Sequence, residues 1–151
     1  MKQSLLGVLA IVLLLLGACN KKDSPYPAGN TWKLGNQTYV VNNVFRNTKD
    51  RLNAITDANT AQAITLEFRF SSFPATTTSY TVAHGLPFIM VPGEVAITIY
   101  DRNELLYYSS PFNTAKATVI VNGSTNTILL PEVWMYAITG DSVLLSAHIS
   151  E

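Results

Sequence analysis

Ile64-Thr65-Leu66-Glu67-Phe68-Arg69-Phe70 alternates large apolar and polar residues without a break. A period of two puts Ile64, Leu66, Phe68 and Phe70 on one side of an extended chain and Thr65, Glu67 and Arg69 on the other. The stretch predicts a β-strand with one buried and one solvated face. A slip of one residue would turn every apolar group into water, so the burial also sets the register.

Working outward, Tyr80-Thr81-Val82 predicts a short strand after a loop over residues 74–79. An apolar loop follows over residues 84–93, bracketed by Pro87 and Pro92. Val95, Ile97 and Ile99 open another strand, which turns at Asp101-Arg102-Asn103 into a strand over residues 105–108. The C-terminal third reads as a three-strand meander. Ala115, Ala117, Val119 and Val121 alternate with Lys116, Thr118 and Ile120, and Asn122-Gly123 starts a turn. A strand over residues 127–136 contains Pro131, which has no N–H to give a ladder, so that strand is expected at an edge or with a bulge. Gly140-Asp141 then turns the chain into Val143, Leu145, Ala147 and Ile149.

Upstream, Trp32-Lys33-Leu34 alternates, Gly35-Asn36 supplies a two-residue hairpin turn, and residues 37–45 return as a strand with a bulge at Asn42-Asn43. In residues 49–62, Leu52 and Ile55 could share a helical face, but Asn53, Thr56, Asp57, Asn59 and Thr60 are poor helix formers. A strand over Leu52–Thr56 and a turn over Asp57-Ala58-Asn59-Thr60 are preferred. The sum is all-β: an antiparallel β-sandwich of about nine or ten short strands, with a β-barrel as the alternative.

Composition agrees. Charged residues make up 13%, about half the usual share, while Thr (16) and Asn (12) supply polarity. Thr suits exposed strand faces and Asn suits turns. Ten basic and ten acidic residues balance, and no Lys/Arg-rich run creates a field for nucleic acid, so no nucleic-acid partner is expected. The single cysteine, Cys19, rules out an internal disulfide and a cysteine-built metal site.

The N-terminus carries an address. Lys2 precedes a charge-free apolar run over residues 5–16, which as a helix reaches only ~18 Å, short of a ~30 Å hydrocarbon core. It reads as a signal-peptide core that ends Leu16-Gly17-Ala18-Cys19. Those four residues resemble the lipobox of bacterial lipoproteins. The resemblance implies that residues 1–18 are removed and that Cys19 becomes an N-terminus bearing acyl chains such as palmitate, with membrane lipid as its partner. Residues 19–30, polar and with Pro25 and Pro27, read as a tether, and residues 31–151 as one domain. Tether, Trp-Lys-Leu-Gly-Asn-Gln-Thr-Tyr, Ile-Thr-Leu-Glu-Phe, Ser-Tyr-Thr-Val and the closing meander together resemble small β-rich lipoproteins of the Bacteroidota. That likeness implies an outer-membrane location, periplasmic or surface-facing, and no particular activity. Asp141-Ser142-Val143 resembles the short O-glycosylation motif of the same phylum, which would make Ser142 an acceptor.

No catalytic residue is assigned. A Ser-His-Asp triad would have to use His84 or His148, and no Gly-x-Ser-x-Gly elbow follows a strand. Asp57-Ala58-Asn59-Thr60 lacks the later ligands of a calcium loop, and no metal or cofactor is expected. Trp134 and Tyr136 fall on one side of their strand, and with Tyr107-Tyr108 and Trp32 they are the candidate platform for stacking a ligand, set against ordinary core packing. The expectation is a non-catalytic envelope lipoprotein, a binding or structural module. The alternative is an accessory of nutrient capture that binds a glycan, a peptide or an outer-membrane protein. A small hydrolase ranks third.

Overall fold

The computed structural model describes residues 24–56, 63–86, 90–102 and 104–151. The leader, Cys19 and the turn read at Asp57-Ala58-Asn59-Thr60 lie outside them. The described chain is all-β, with no helix and eleven strands. They are β1 (Thr31–Leu34), β2 (Gln37–Val40), β3 (Asn43–Thr48), β4 (Arg51–Thr56), β5 (Ile64–Phe70), β6 (Thr78–Val82), β7 (Glu94–Asp101), β8 (Glu104–Ser109), β9 (Lys116–Asn122), β10 (Thr125–Ala137) and β11 (Ser142–Ser150).

All of them join one hydrogen-bonded sheet, ordered β2-β1-β11-β10-β9-β6-β7-β5-β4-β3, with β8 paired to both β10 and β7. Of the two architectures read from the sequence, this is the barrel. Two long strands fork to make it. One side of β10 pairs with β9 along Thr125–Leu129 and then with β8 along Met135–Ala137. One side of β7 pairs with β6 at Glu94 and Val95 and then with β8 from Thr98 onward. Strands β10, β9, β6, β7 and β8 therefore close a ring of five. Every pairing is antiparallel except β6 with β7, which is parallel and needs the long connection over residues 83–93.

Pro131 sits where β10 changes partner. The register against β11 shifts between Leu130 and Val133, a bulge placed where proline has no N–H to offer. Strand β10 is thus bulged and interior, flanked on both sides. The expected single strand over residues 37–45 is instead two, at opposite edges of the sheet. Val41 N donates to Asn30 O (3.0 Å) on the β1 side, and Asn42 N donates to Ile55 O (2.9 Å) on the β4 side. Val41 is buried at that crossing, so the two edges are one continuous piece of chain that bends around the core.

Strand β4 confirms the extended reading of residues 52–56. It escapes a clean period because Leu52 and Ala54 face the core while Asn53, on the outer side, is also buried, beneath the longer side chains around it. In β5, Leu66, Phe68 and Phe70 are buried and Thr65, Glu67 and Arg69 half-buried, as the alternation requires. The core also takes Trp32, Ile97, Ile99, Val119, Ile128, Met135 and Leu145. Residues 24–30, read as tether, run onto the domain: Pro27 is buried, and Asn30 Oδ1 accepts the Ser150 amide at 3.0 Å.

Candidate ligand-binding face

Directly opposed residues of antiparallel strands point to the same side of a sheet. Following the register from β3 to β11 gives one row: Phe45, Asn53, Glu67, Thr98, Tyr108, Tyr136 and Ser142. The row crosses seven strands on the side away from the core. At ~4.8 Å per step it is about 29 Å long.

Its β3–β7 half is an open trough. One hollow of about 270 Å³ is lined by Phe45, Arg51, Asn53, Thr65, Glu67, Tyr100 and Arg102. A second, of about 400 Å³, shares Arg51, Glu67 and Tyr100 and continues over Arg69, Ala96 and Thr98 to Gly85 and Leu86. Asn53 and Thr98 form the floor and are buried, while the long side chains around them make the walls. Arg51 approaches Glu67 at 3.6 Å and Arg69 approaches Asp50 at 3.7 Å. These partly exposed pairs are worth under ~1 kcal/mol each, so they position side chains more than they stabilise the fold. The rim at Gly85 is set by backbone proximity. A Cβ there would meet Tyr108 Cβ at 2.5 Å and Ile97 O at 2.8 Å, which only glycine avoids.

The aromatic half of the face differs from the set named in the sequence. Trp134 and Tyr136 do share the outward side of β10, with Val133, Met135 and Ala137 buried behind them. Their companion is Tyr108, whose ring packs edge-on to Tyr136 at 6.1 Å and lies 5.2 Å from His84. Tyr107 points the other way, toward the core. Trp32 is wholly buried and stacked on Tyr39 at 4.0 Å and 9°, so it offers no free face to a ligand. Trp32, Tyr39 and Tyr107 instead border a hollow of about 240 Å³ with Leu34, Ile64 and Val143. The side chains that sequence reasoning missed are Arg51, Asn53, Thr98 and Tyr100; of the Tyr107-Tyr108 pair it named, Tyr108 is the one on this face. The polar period of β5 hinted at Glu67 and Arg69, but the others become neighbours only through pairing.

Asn113 secures Trp134 on the side of β10 that lies between its β9 and β8 partners. Trp134 N donates to Asn113 Oδ1 at 2.7 Å, and Asn113 Nδ2 donates back to Trp134 O at 3.0 Å, so one side chain imitates a strand residue. His84 Nδ1 accepts the Leu86 amide at 3.1 Å, and His148 is half-buried beside Gly29. Ser142 is exposed at the first position of β11. Among the described residues no three His, Cys, Asp or Glu gather in one place. Asp50 is held below its ordinary carboxyl value, first by the Thr48 hydroxyl; burial opposes this, and its own backbone amide, Arg51 and Arg69 add smaller lowering effects. Burial raises the Tyr39 and Tyr80 phenols, with Tyr107 contributing at Tyr39. Compared with protein-family models, curated proteins and solved structures, the chain finds no match in any of the three.

Proposed function

We propose that this protein is a non-catalytic module of the bacterial cell envelope, anchored through an acylated Cys19, that binds a glycan along the outer face of its barrel. The row from Phe45 to Ser142 supports this reading. An open trough across β3, β4, β5 and β7 suits an extended polymer better than a compact metabolite, which an enclosed cavity would surround. Arg51 and Glu67, with Asn53 and Thr98 beneath them, give the trough polar groups of the kind that hydrogen-bond ring hydroxyls. Tyr100 and Tyr108 offer flat apolar area to sugar C–H faces at low cost in side-chain entropy. Rigid strands fix the spacing of both sets.

Native gels cast with a panel of soluble polysaccharides test the reading through retardation of the protein. At least one polysaccharide is expected to retard it, and Tyr100→Ala and Glu67→Gln should each weaken that binding about tenfold or more, ~1.4 kcal/mol. Trp134→Phe, outside the trough, should leave it unchanged. Absence of retardation across the panel, or equal retardation of wild type and trough variants, refutes the glycan reading. Retardation by extended peptides alone would move the assignment to peptide capture.

A further inference from the structure

Beside the trough, and sharing none of its lining residues, lies an apolar patch. Phe112 is 79% exposed and Trp134 50%, with Leu144 half-buried in the hollow they share, and Ile138, 63% exposed, follows four residues after Trp134. Trp134, Tyr136 and Ile138 alternate along one side of the chain. The patch is held firmly. Trp134 is clamped by Asn113, Phe112 N donates to Ser110 Oγ (3.1 Å), and Ile138 N donates to Leu106 O (3.1 Å). Large apolar groups kept in water on a rigid frame mark a surface that is covered in use.

The chain itself says what covers it. Ser24, Pro25, Tyr26 and Pro27 border a hollow with Lys33, Pro131 and Glu132, and Glu132 also borders the neighbouring hollow lined by Phe112, Trp134 and Leu144. The described chain therefore begins beside the patch. Cys19 lies five residues before Ser24, a span of at most ~18 Å even fully extended. We propose that Phe112, Trp134 and Ile138 dock in the interfacial layer of the bilayer that holds Cys19. This step rests on the anchoring stated above. Indole prefers that layer because its ring is apolar and its N–H can stay wet. Phe112, Trp134 and Ile138 carry no charge, so the contact is apolar and added salt should change it little.

The test uses the lipoprotein purified from its membrane and reconstituted in phosphatidylcholine vesicles with plain or brominated acyl chains. Of the two tryptophans Trp32 is buried in the core, so lipid bromine can reach only Trp134. Bromination is expected to quench the emission, and Trp134→Phe should abolish that quenching. Phe112→Ser with Ile138→Ser should cut it at least twofold, and half-molar salt should leave it in place. Equal emission in both vesicle types, with the protein sedimenting with the vesicles, overturns the docking surface. Mass spectrometry of the N-terminal peptide reads the anchor separately. If Cys19 carries no acyl chain the anchoring falls, and the quenching then decides the patch by itself: persistence upholds it and absence overturns it.

Discussion

Phe68 and Arg69 are chain neighbours with opposite fates. The Phe68 ring is wholly buried, 6.4 Å from Phe70, whereas Arg69 reaches Asp50 across a solvated edge. Truncating a buried phenylalanine removes its transfer free energy and leaves a cavity, for ~3–5 kcal/mol. An exposed charge pair contributes under ~1 kcal/mol. Urea midpoints should therefore fall steeply for Phe68→Ala and scarcely move for Arg69→Ala. Equal midpoints would mean that the β5 faces are not divided as described. Phe68 was legible from its period. Trp32 was not, because a tryptophan in a short alternating segment fits a surface platform and a core equally well. Its stack with Tyr39 arises only when β1 pairs with β2.

At the scale of elements, β10 carries the most. It runs through thirteen residues, bulges at Pro131 and hands its outer edge from β9 to β8. Between those partners the Trp134 backbone relies on Asn113, together with the Ser110 amide donating to Trp134 O at 3.0 Å. Asn113→Ala leaves the Trp134 N–H without its acceptor, for about 1 kcal/mol at this partly exposed place. Hydrogen exchange should report it locally: the Trp134 amide should exchange several-fold faster while the Ile128 and Leu130 amides keep their rates. Uniform acceleration along β10 would show that Asn113 supports the whole strand rather than its gap. The sequence could place this strand and foresee its irregularity at Pro131. It could not show that the irregularity lies at a fork, because the second partner, β8, is a separate segment whose pairing leaves no mark in the β10 period.

For the whole molecule, the shifted groups contribute to how stability depends on pH. The Asp50 carboxyl sits below its ordinary 3.8, so its contribution is complete above about pH 4 and is lost as pH falls through the lowered folded value. Tyr39 and Tyr80 have phenols raised above 10. Their contribution is complete below pH 10 and is lost as pH rises through the raised folded values. Stability measured by urea midpoint should form a plateau across neutral pH with a fall at each end. Asp50→Asn should flatten the acid limb below pH 4 and leave the alkaline limb in place. An unchanged acid limb would assign acid sensitivity to other carboxylates.

What the sequence determined by itself was local. Alternation in β5, β9 and β11, the Gly35-Asn36 and Asn122-Gly123 turns, and a Thr- and Asn-rich composition were enough for an all-β chain with most strands near their observed places. These signals suffice because a side chain's facing depends on its own neighbours in the chain, and a turn depends on two residues. The tertiary structure decided which strand lies beside which. It split residues 37–45 between two edges, made β6 and β7 parallel, closed five strands through β8, and aligned Phe45, Asn53, Glu67, Thr98, Tyr108, Tyr136 and Ser142 into one row. Backbone N–H and C=O groups are alike in every strand, so pairing is chosen by how the buried faces fit together around one core. That choice belongs to the whole chain at once, and no segment carries it alone.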